Sequence, residues 1–365
     1  MAGSTFFDGL AVLERGSAME MKFGIHSTES APQITAITPL AALPGGEVEV
    51  HGHRLATEAL RQPTATIGEQ PSSVTMSRAS KVLLHVPDGA ISGNVQVRVD
   101  GHTSNAMPLS VGVAVAENMD PVANPAVDSE SNIYVPFSGA RGQQTPTSVF
   151  QVDAEYQVRP FVAGITNATG VALDGDGNLY VSSRHEGTVY RVTPSGAKSV
   201  FAEGMGVATG VAFDRDGFLY VGDRSGTIFK IAQNRQVFVF ATLEPSVSAY
   251  HLAFNDNGTL MVSGPTTSAN ESIHAIEPNG EISDFYTGLG RPQGMAFDID
   301  GNLYVAASLH GRRGVVKITP KREASLVISG SGIVGLAFLP EGDAAVATRD
   351  TVYHVGLDIL GRLLH

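Results

Sequence analysis

One short pattern recurs six times along this chain and limits the fold more than any other feature. Two or three apolar residues lead to an acid or amide, a Gly-bearing turn follows, and a Leu-Tyr-Val-like run closes the unit. The copies read Ala126-Val127-Asp128 to Ile133-Tyr134-Val135, Val171-Ala172-Leu173-Asp174 to Leu179-Tyr180-Val181, and Val211-Ala212-Phe213-Asp214 to Leu219-Tyr220-Val221. Leu252-Ala253-Phe254-Asn255, Met295-Ala296-Phe297-Asp298 and a decayed Leu336-Ala337-Phe338-Leu339 continue the series. Counted at the position of Asp128, Asp174, Asp214, Asn255, Asp298 and Leu339, the spacings are 46, 40, 41, 43 and 41 residues. A period near 40 that holds several short alternating strands predicts the blades of a β-propeller. Six copies predict six blades, over residues 113–365. Later strands of the units show at 188–192, 227–231 and 315–318.

Upstream the texture changes. Residues 1–31 carry no sustained period and read as a leader with little regular structure. From 32 to 112 short alternating runs (34–37, 47–51, 82–86 and 95–99) are punctuated by Pro44-Gly45-Gly46, Pro87-Asp88-Gly89 and Asp100-Gly101. That pattern predicts a small antiparallel β-sandwich. The fold class expected is all-β: an immunoglobulin-like β-sandwich followed by a six-bladed β-propeller.

Several function classes drop out on composition. With no Cys, the chain has no disulfide framework, thiolate metal site or cysteine nucleophile. A formal net charge of −12 argues against nucleic acid and anionic membrane as partners. No apolar run reaches the ~20 residues of a membrane span. The apolar start (Phe6-Phe7, Leu10 to Leu13) lacks a basic n-region and does not read as a signal peptide, which points to the cytoplasm, with export of a processed form as the alternative.

The first segment resembles TIG (IPT) domains through Ile37-Thr38-Pro39, Pro44-Gly45-Gly46-Glu47-Val48-Glu49-Val50-His51-Gly52, Ala65-Thr66-Ile67-Gly68, Val86-Pro87-Asp88-Gly89 and Ser92-Gly93-Asn94-Val95-Gln96-Val97-Arg98-Val99. The resemblance implies a spacer or docking module. The repeats resemble NHL-repeat propellers and, more distantly, the senescence marker protein/gluconolactonase superfamily. That superfamily's lactonases hold a divalent cation such as calcium at the channel mouth. The residues at the matching places here are Ala123, Thr169, Thr209, Tyr250, Gln293 and Val334, with Asn124 offset by one. No carboxylate stands among them, so no metal or other cofactor is expected, with a divalent cation such as calcium as the alternative.

The NHL-type blade order puts the Asp-Gly turns on one face, here called the bottom. Asp174-Gly175-Asp176-Gly177-Asn178 has the alternating oxygens of half a calcium loop but lacks the downstream Glu, and reads as turn chemistry. On the opposite, top face lie the loops that do not repeat, and they hold seven of the chain's 18 Arg and none of its six Lys. Guanidinium forks suit carboxylates, phosphates and polyols. A funnel edged by Arg141, Arg184, Arg224, Arg291 and Arg312, with Tyr250, His251, Gln293, Thr169 and Thr209 deeper, is therefore expected to hold a small anionic or carbohydrate-like ligand or a protein partner. The competing expectation is that these Arg pair with Asp223, Glu186, Glu244 or Asp350. His251, with His185 and His310, is the candidate base if the chain is instead a lactone or ester hydrolase.

Overall fold

The computed structural model describes residues 31–56, 62–268 and 270–362. The expected leader lies outside the described residues, apart from Ala31. Every regular element among the described residues is a β-strand. Among the described residues no helix is long and apolar enough to cross a membrane.

Each repeat folds as a four-stranded antiparallel sheet. In the second, Ala168–Leu173 lies innermost, followed outward by Leu179–Ser183, Thr188–Val192 and Lys198–Ala202. The repeated acid builds the turn between the first two strands. Asp298 Oδ1 accepts the backbone N–H groups of Asp300 (3.0 Å) and Asn302 (2.8 Å), and Oδ2 accepts Asn302 Nδ2 (2.7 Å) and the Tyr304 hydroxyl (3.0 Å). The acid of the motif thus closes the turn and anchors the tyrosine six residues on. Each anchored ring then meets the next repeat edge to face. Tyr180 packs on Phe213, Tyr220 on Phe254 and Tyr304 on Phe338, with centroids 4.8, 4.9 and 5.1 Å apart. Such contacts fix the angle between successive sheets.

The expectation of six separate blades is corrected to five. The four-stranded sheets stand at 126–162, 168–202, 208–242, 251–289 and, for the last repeat, Gly335–Phe338, Ala344–Ala347 and Thr351–Val355 with Val113–Glu117 outermost. That last sheet is completed from both ends of the propeller segment, Val113 lying opposite His354 and Glu117 opposite Thr351. The repeat around Met295–Phe297 has the same four antiparallel strands, but its outer strand Ala324–Ser329 is not an edge. Ala41–Ala42 pairs with it in parallel and also pairs in parallel with Met107–Val111, so these strands belong to a 13-stranded sheet shared with the N-terminal domain. A two-residue strand carries no readable period, yet it covers what would be an exposed sheet edge.

Nor is the N-terminal domain two separable sheets. Hydrogen bonding runs continuously because Gln70–Arg78 turns a corner: Gln70 to Ser72 pair with Thr64–Ile67, and Ser73 to Arg78 pair with Lys81–His85. The strands enclose one apolar core that includes Val48, Val50, Ile67, Val82, Leu84, Val95 and Val97, all fully buried. Gly46 shows how closely the domain sits on the propeller: a Cβ there would lie 2.6 Å from the Ser329 carbonyl oxygen. Leu43 N–H donates to that oxygen at 2.8 Å, and Glu47 N–H donates to Ser329 Oγ at 2.9 Å.

Candidate functional site

The channel mouth is sealed rather than open. In the second and third repeats the innermost strand bulges, at Ala168 to Val171 and at Ala208 to Val211, and the glycine within the bulge touches the neighbouring strand. A Cβ on Gly170 would fall 2.3 Å from the Thr209 carbonyl oxygen, and one on Gly210 2.3 Å from that of Tyr250. Gly210 N–H donates to Tyr250 O, and Gly294 N–H to Val334 O. Asn124 closes the remaining gap, donating to Met295 O (2.6 Å) and accepting from Leu336 N–H (3.2 Å). The place where the resemblance to the lactonases would put a metal is thus taken up by close backbone contacts. None of the six residues there is a carboxylate, and the described residues contain no group of three or more His, Asp or Glu placed to hold a metal. These donors do not fit a hard cation.

The deep half of the expected funnel is therefore core, which corrects four positions. Thr169 and Thr209 are fully buried, and their hydroxyls donate to Asn167 O (2.9 Å) and Gly222 O (2.7 Å). Tyr250 is buried, donates to the Glu244 carbonyl, and is pushed up to a pKa of about 12, chiefly by burial. Gly222 and Gly264 leave the space its ring occupies. His251 is 2% exposed, its Nε2 has no hydrogen-bond partner, and burial alone lowers its pKa to about 4. A ring sealed in this way cannot reach a substrate.

At the rim the arginines divide into three groups. Arg312 is a staple between the domains: it donates to Thr38 O (3.2 Å) and Glu47 O (3.4 Å), and pairs with Glu49 at 3.5 Å. It is thereby removed from the funnel. Arg141, Arg184 and Arg224 lie above the first three propeller repeats and sense one another. Burial lowers the Arg184 pKa, Asp120 opposes that, and Arg224 and Arg141 add to it. Arg184 donates weakly to Gly139 O and Arg224 to Ser246 O, both at 3.4 Å. His185 is exposed beside Gly142 and His310 is exposed on its turn, neither with a hydrogen-bond partner among the described residues.

The third group lines a cleft of about 720 Å³ between the N-terminal domain and the propeller. Leu43 and Pro44 form one wall; Arg291, Gln293, Ser308, Arg313, Arg349 and Asp350 supply polar groups from the other side. Arg291 holds its position at a φ of 50°, a left-handed conformation that costs a non-glycine residue about 1 kcal/mol. Neither this group nor Arg141, Arg184 and Arg224 forms an ion pair among the described residues. Three of the four acids expected to neutralise them are engaged elsewhere, and Glu244 forms no ion pair among the described residues. Asp223 is buried and accepts Val207 N–H (2.8 Å) and the Ser225 hydroxyl; Glu186 accepts the Tyr190 hydroxyl (2.6 Å); Asp350 accepts Thr348 and Thr351 hydroxyls (3.2 Å each). Sequence reasoning named Arg291 and Gln293 but left Arg313 and Arg349 out of the site. Their loops were on the right face, and only the docking of the N-terminal domain shows which of them meet.

The fold and this geometry define an IPT/TIG domain joined to a β-propeller. Residues 32–111 match the IPT/TIG domain family. No curated protein sequence matches the chain. Among solved structures, a structural genomics protein of unknown function from Bacteroides thetaiotaomicron is 14% identical, with a TM-score of 0.54 over 90% of this chain and 98% of that one. An auxiliary nutrient binding protein from Bacteroides ovatus is 14% identical, with a TM-score of 0.53 over 89% and 97%. A provisional gluconolactonase is 19% identical, with a TM-score of 0.57 over 70% and 94%. At these identities the likenesses show the fold.

Proposed function

We propose that the chain is a binding protein that holds a small anionic or polyhydroxylated ligand in the cleft between its N-terminal domain and the propeller. One observation carries the reading: three exposed guanidiniums with no carboxylate partner among the described residues line one cleft of about 720 Å³, in a chain of net charge −12. That volume lies in the range of small-molecule sites. Unpaired arginines there offer forks of donors to an anion without first breaking an internal ion pair. The auxiliary nutrient binding proteins among the structural neighbours are consistent with such a role.

The hydrolase reading, which the provisional gluconolactonase keeps in view, lacks support at the same place. Among the described residues no histidine lines the cleft, and the one carboxylate there, Asp350, already accepts two threonine hydroxyls. A thermal-shift series with gluconate, galacturonate and glucose tests the binding reading. The acids should raise the melting temperature, and Arg291→Ala with Arg313→Ala should abolish that rise without lowering the melting temperature in buffer alone. The reading fails if no acid stabilises the protein or if the double variant responds like the parent. Turnover of gluconolactone above its spontaneous rate would instead establish the hydrolase.

A further inference from the structure

Resting on that binding reading, we infer that the cleft is built for a dianion: a hydroxylated carbon chain bearing two negative charges. The charge count of the lining carries the argument. Arg291, Arg313 and Arg349 contribute three positive charges and Asp350 one negative, leaving an excess of two. Tyr353, the other ionisable group in the lining, stays neutral, since burial first and the charges of Asp350, Glu117 and Asp88 then raise its pKa. Glu117 and Asp88 act on that tyrosine, but neither lines the cleft.

The three guanidiniums arrive from separate segments. Arg291 precedes the strand Met295–Phe297, Arg313 stands at the start of Arg312–Ile318, and Arg349 follows Ala344–Ala347. One carboxylate satisfies one fork, or shares two. Arg291, Arg313 and Arg349 are all exposed, so a ligand carrying a single charge leaves at least one guanidinium to water alone. A second anionic group instead gains a further charge-assisted hydrogen bond there. The remaining polar lining, Ser268, Gln293, Ser308, Ser331 and Thr348, suits hydroxyls, and among the described residues Tyr353 is the only aromatic side chain in it. The lining therefore favours charge and hydroxyl groups over ring stacking.

Calorimetric titration of the full chain with four probes tests this: glucarate and glucose 6-phosphate (two charges each at neutral pH), gluconate (one) and sorbitol (none). The dianions are expected to bind about tenfold more tightly than gluconate, the equivalent of one further charged hydrogen bond. Arg349→Gln is expected to erase that advantage while keeping the parent's melting temperature. Preference for glucarate over glucose 6-phosphate, or the reverse, tells a dicarboxylate site from a phosphate-monoester site, and either supports the inference. Equal affinity for glucarate and gluconate overturns the dianion inference and leaves the cleft reading intact. Absence of binding by all four probes overturns both. So does binding undiminished in a variant carrying Arg291→Gln, Arg313→Gln and Arg349→Gln, because Arg141, Arg184 and Arg224 lie outside this cleft and would then be the site.

Discussion

Replacing His251 by leucine separates a structural histidine from a catalytic one. The ring is 2% exposed, Nε2 has no partner, and burial alone holds its pKa near 4 against an ordinary 6.5. The unfolded chain takes up a proton at this residue below about pH 6.5, whereas the folded chain resists until about pH 4. The stability tied to the neutral ring is therefore complete above pH 6.5 and is lost as pH falls from there to 4. A gap of about 2.5 pH units at 1.36 kcal/mol each gives a loss of about 3 kcal/mol across that window. His251→Leu, of similar volume, should show none of that loss, so the variant gains about 3 kcal/mol relative to the parent between pH 7 and pH 4. Urea denaturation of both proteins at half-unit intervals reads the difference directly, because the carboxylates that titrate in the same range are common to both and cancel. His251→Gln, which also lacks a titrating group, serves if leucine packs poorly. A difference that stays flat with pH, or a His251 ring resonance titrating near pH 6.5, would refute the burial argument and restore the residue as a candidate base.

Three further changes probe the scaffold. Asp298→Ala removes an acceptor of four hydrogen bonds at a 3% exposed site and should cost about 3 kcal/mol by denaturant unfolding. Asp174→Ala, at a half-buried copy of the same turn, should cost less; equal losses would show that burial is not what matters. Arg312→Ala should lower stability by about 1–2 kcal/mol by removing the contacts to Thr38, Glu47 and Glu49, yet leave the gluconate thermal shift unchanged. Loss of that shift to the extent seen for Arg291→Ala would return Arg312 to the ligand site. Gly264→Ala places a methyl 2.3 Å from a Tyr250 ring carbon, and because the ring is tethered through its hydroxyl the cost should be about 2 kcal/mol. Gly175→Ala, with nothing within 4 Å of the added carbon, is the matched control and should leave the melting temperature unchanged.

Much of the architecture was legible because the repeat is written in turn chemistry. An acid that must accept two backbone N–H groups and a tyrosine hydroxyl leaves a fixed spacing from Asp298 to Tyr304, and the same six-residue step marks Asp128 to Tyr134. Two things were not legible. The strand Ala41–Ala42 is too short to show a period, so the fusion of one repeat with the N-terminal domain could not be foreseen. The depth of the funnel was not legible because Thr169 and Thr209 read as ends of the loops entering the inner strands, whereas the strands start at Ala168 and Ala208 and bulge there, which buries both threonines. A signal was nonetheless present: a glycine recurs at the start of the inner strand, as Gly170, Gly210, Gly294 and Gly335, and a strand glycine often marks close approach of another backbone. Read as backbone contacts, those glycines predict that the inner strands meet at the channel mouth.

Closing the mouth changes what the N-terminal domain is for. In an open funnel the ligand would be held by propeller loops alone, and the domain could be a spacer. Here the inner strands close the mouth of the axis, and a polar cleft of about 720 Å³ lies off it, with Leu43 and Pro44 as a wall. Leu43 is also buried in the same apolar cluster as Ile333, Tyr304 and Ile328, so that wall is fixed by the propeller's own core. Parallel pairing through Ala41–Ala42 and the Arg312 contacts hold it from two further sides. The guanidiniums belong to the propeller, but the cleft they line exists only because the domain is docked. Its docking segment is therefore part of the proposed binding site, which neither domain would form alone.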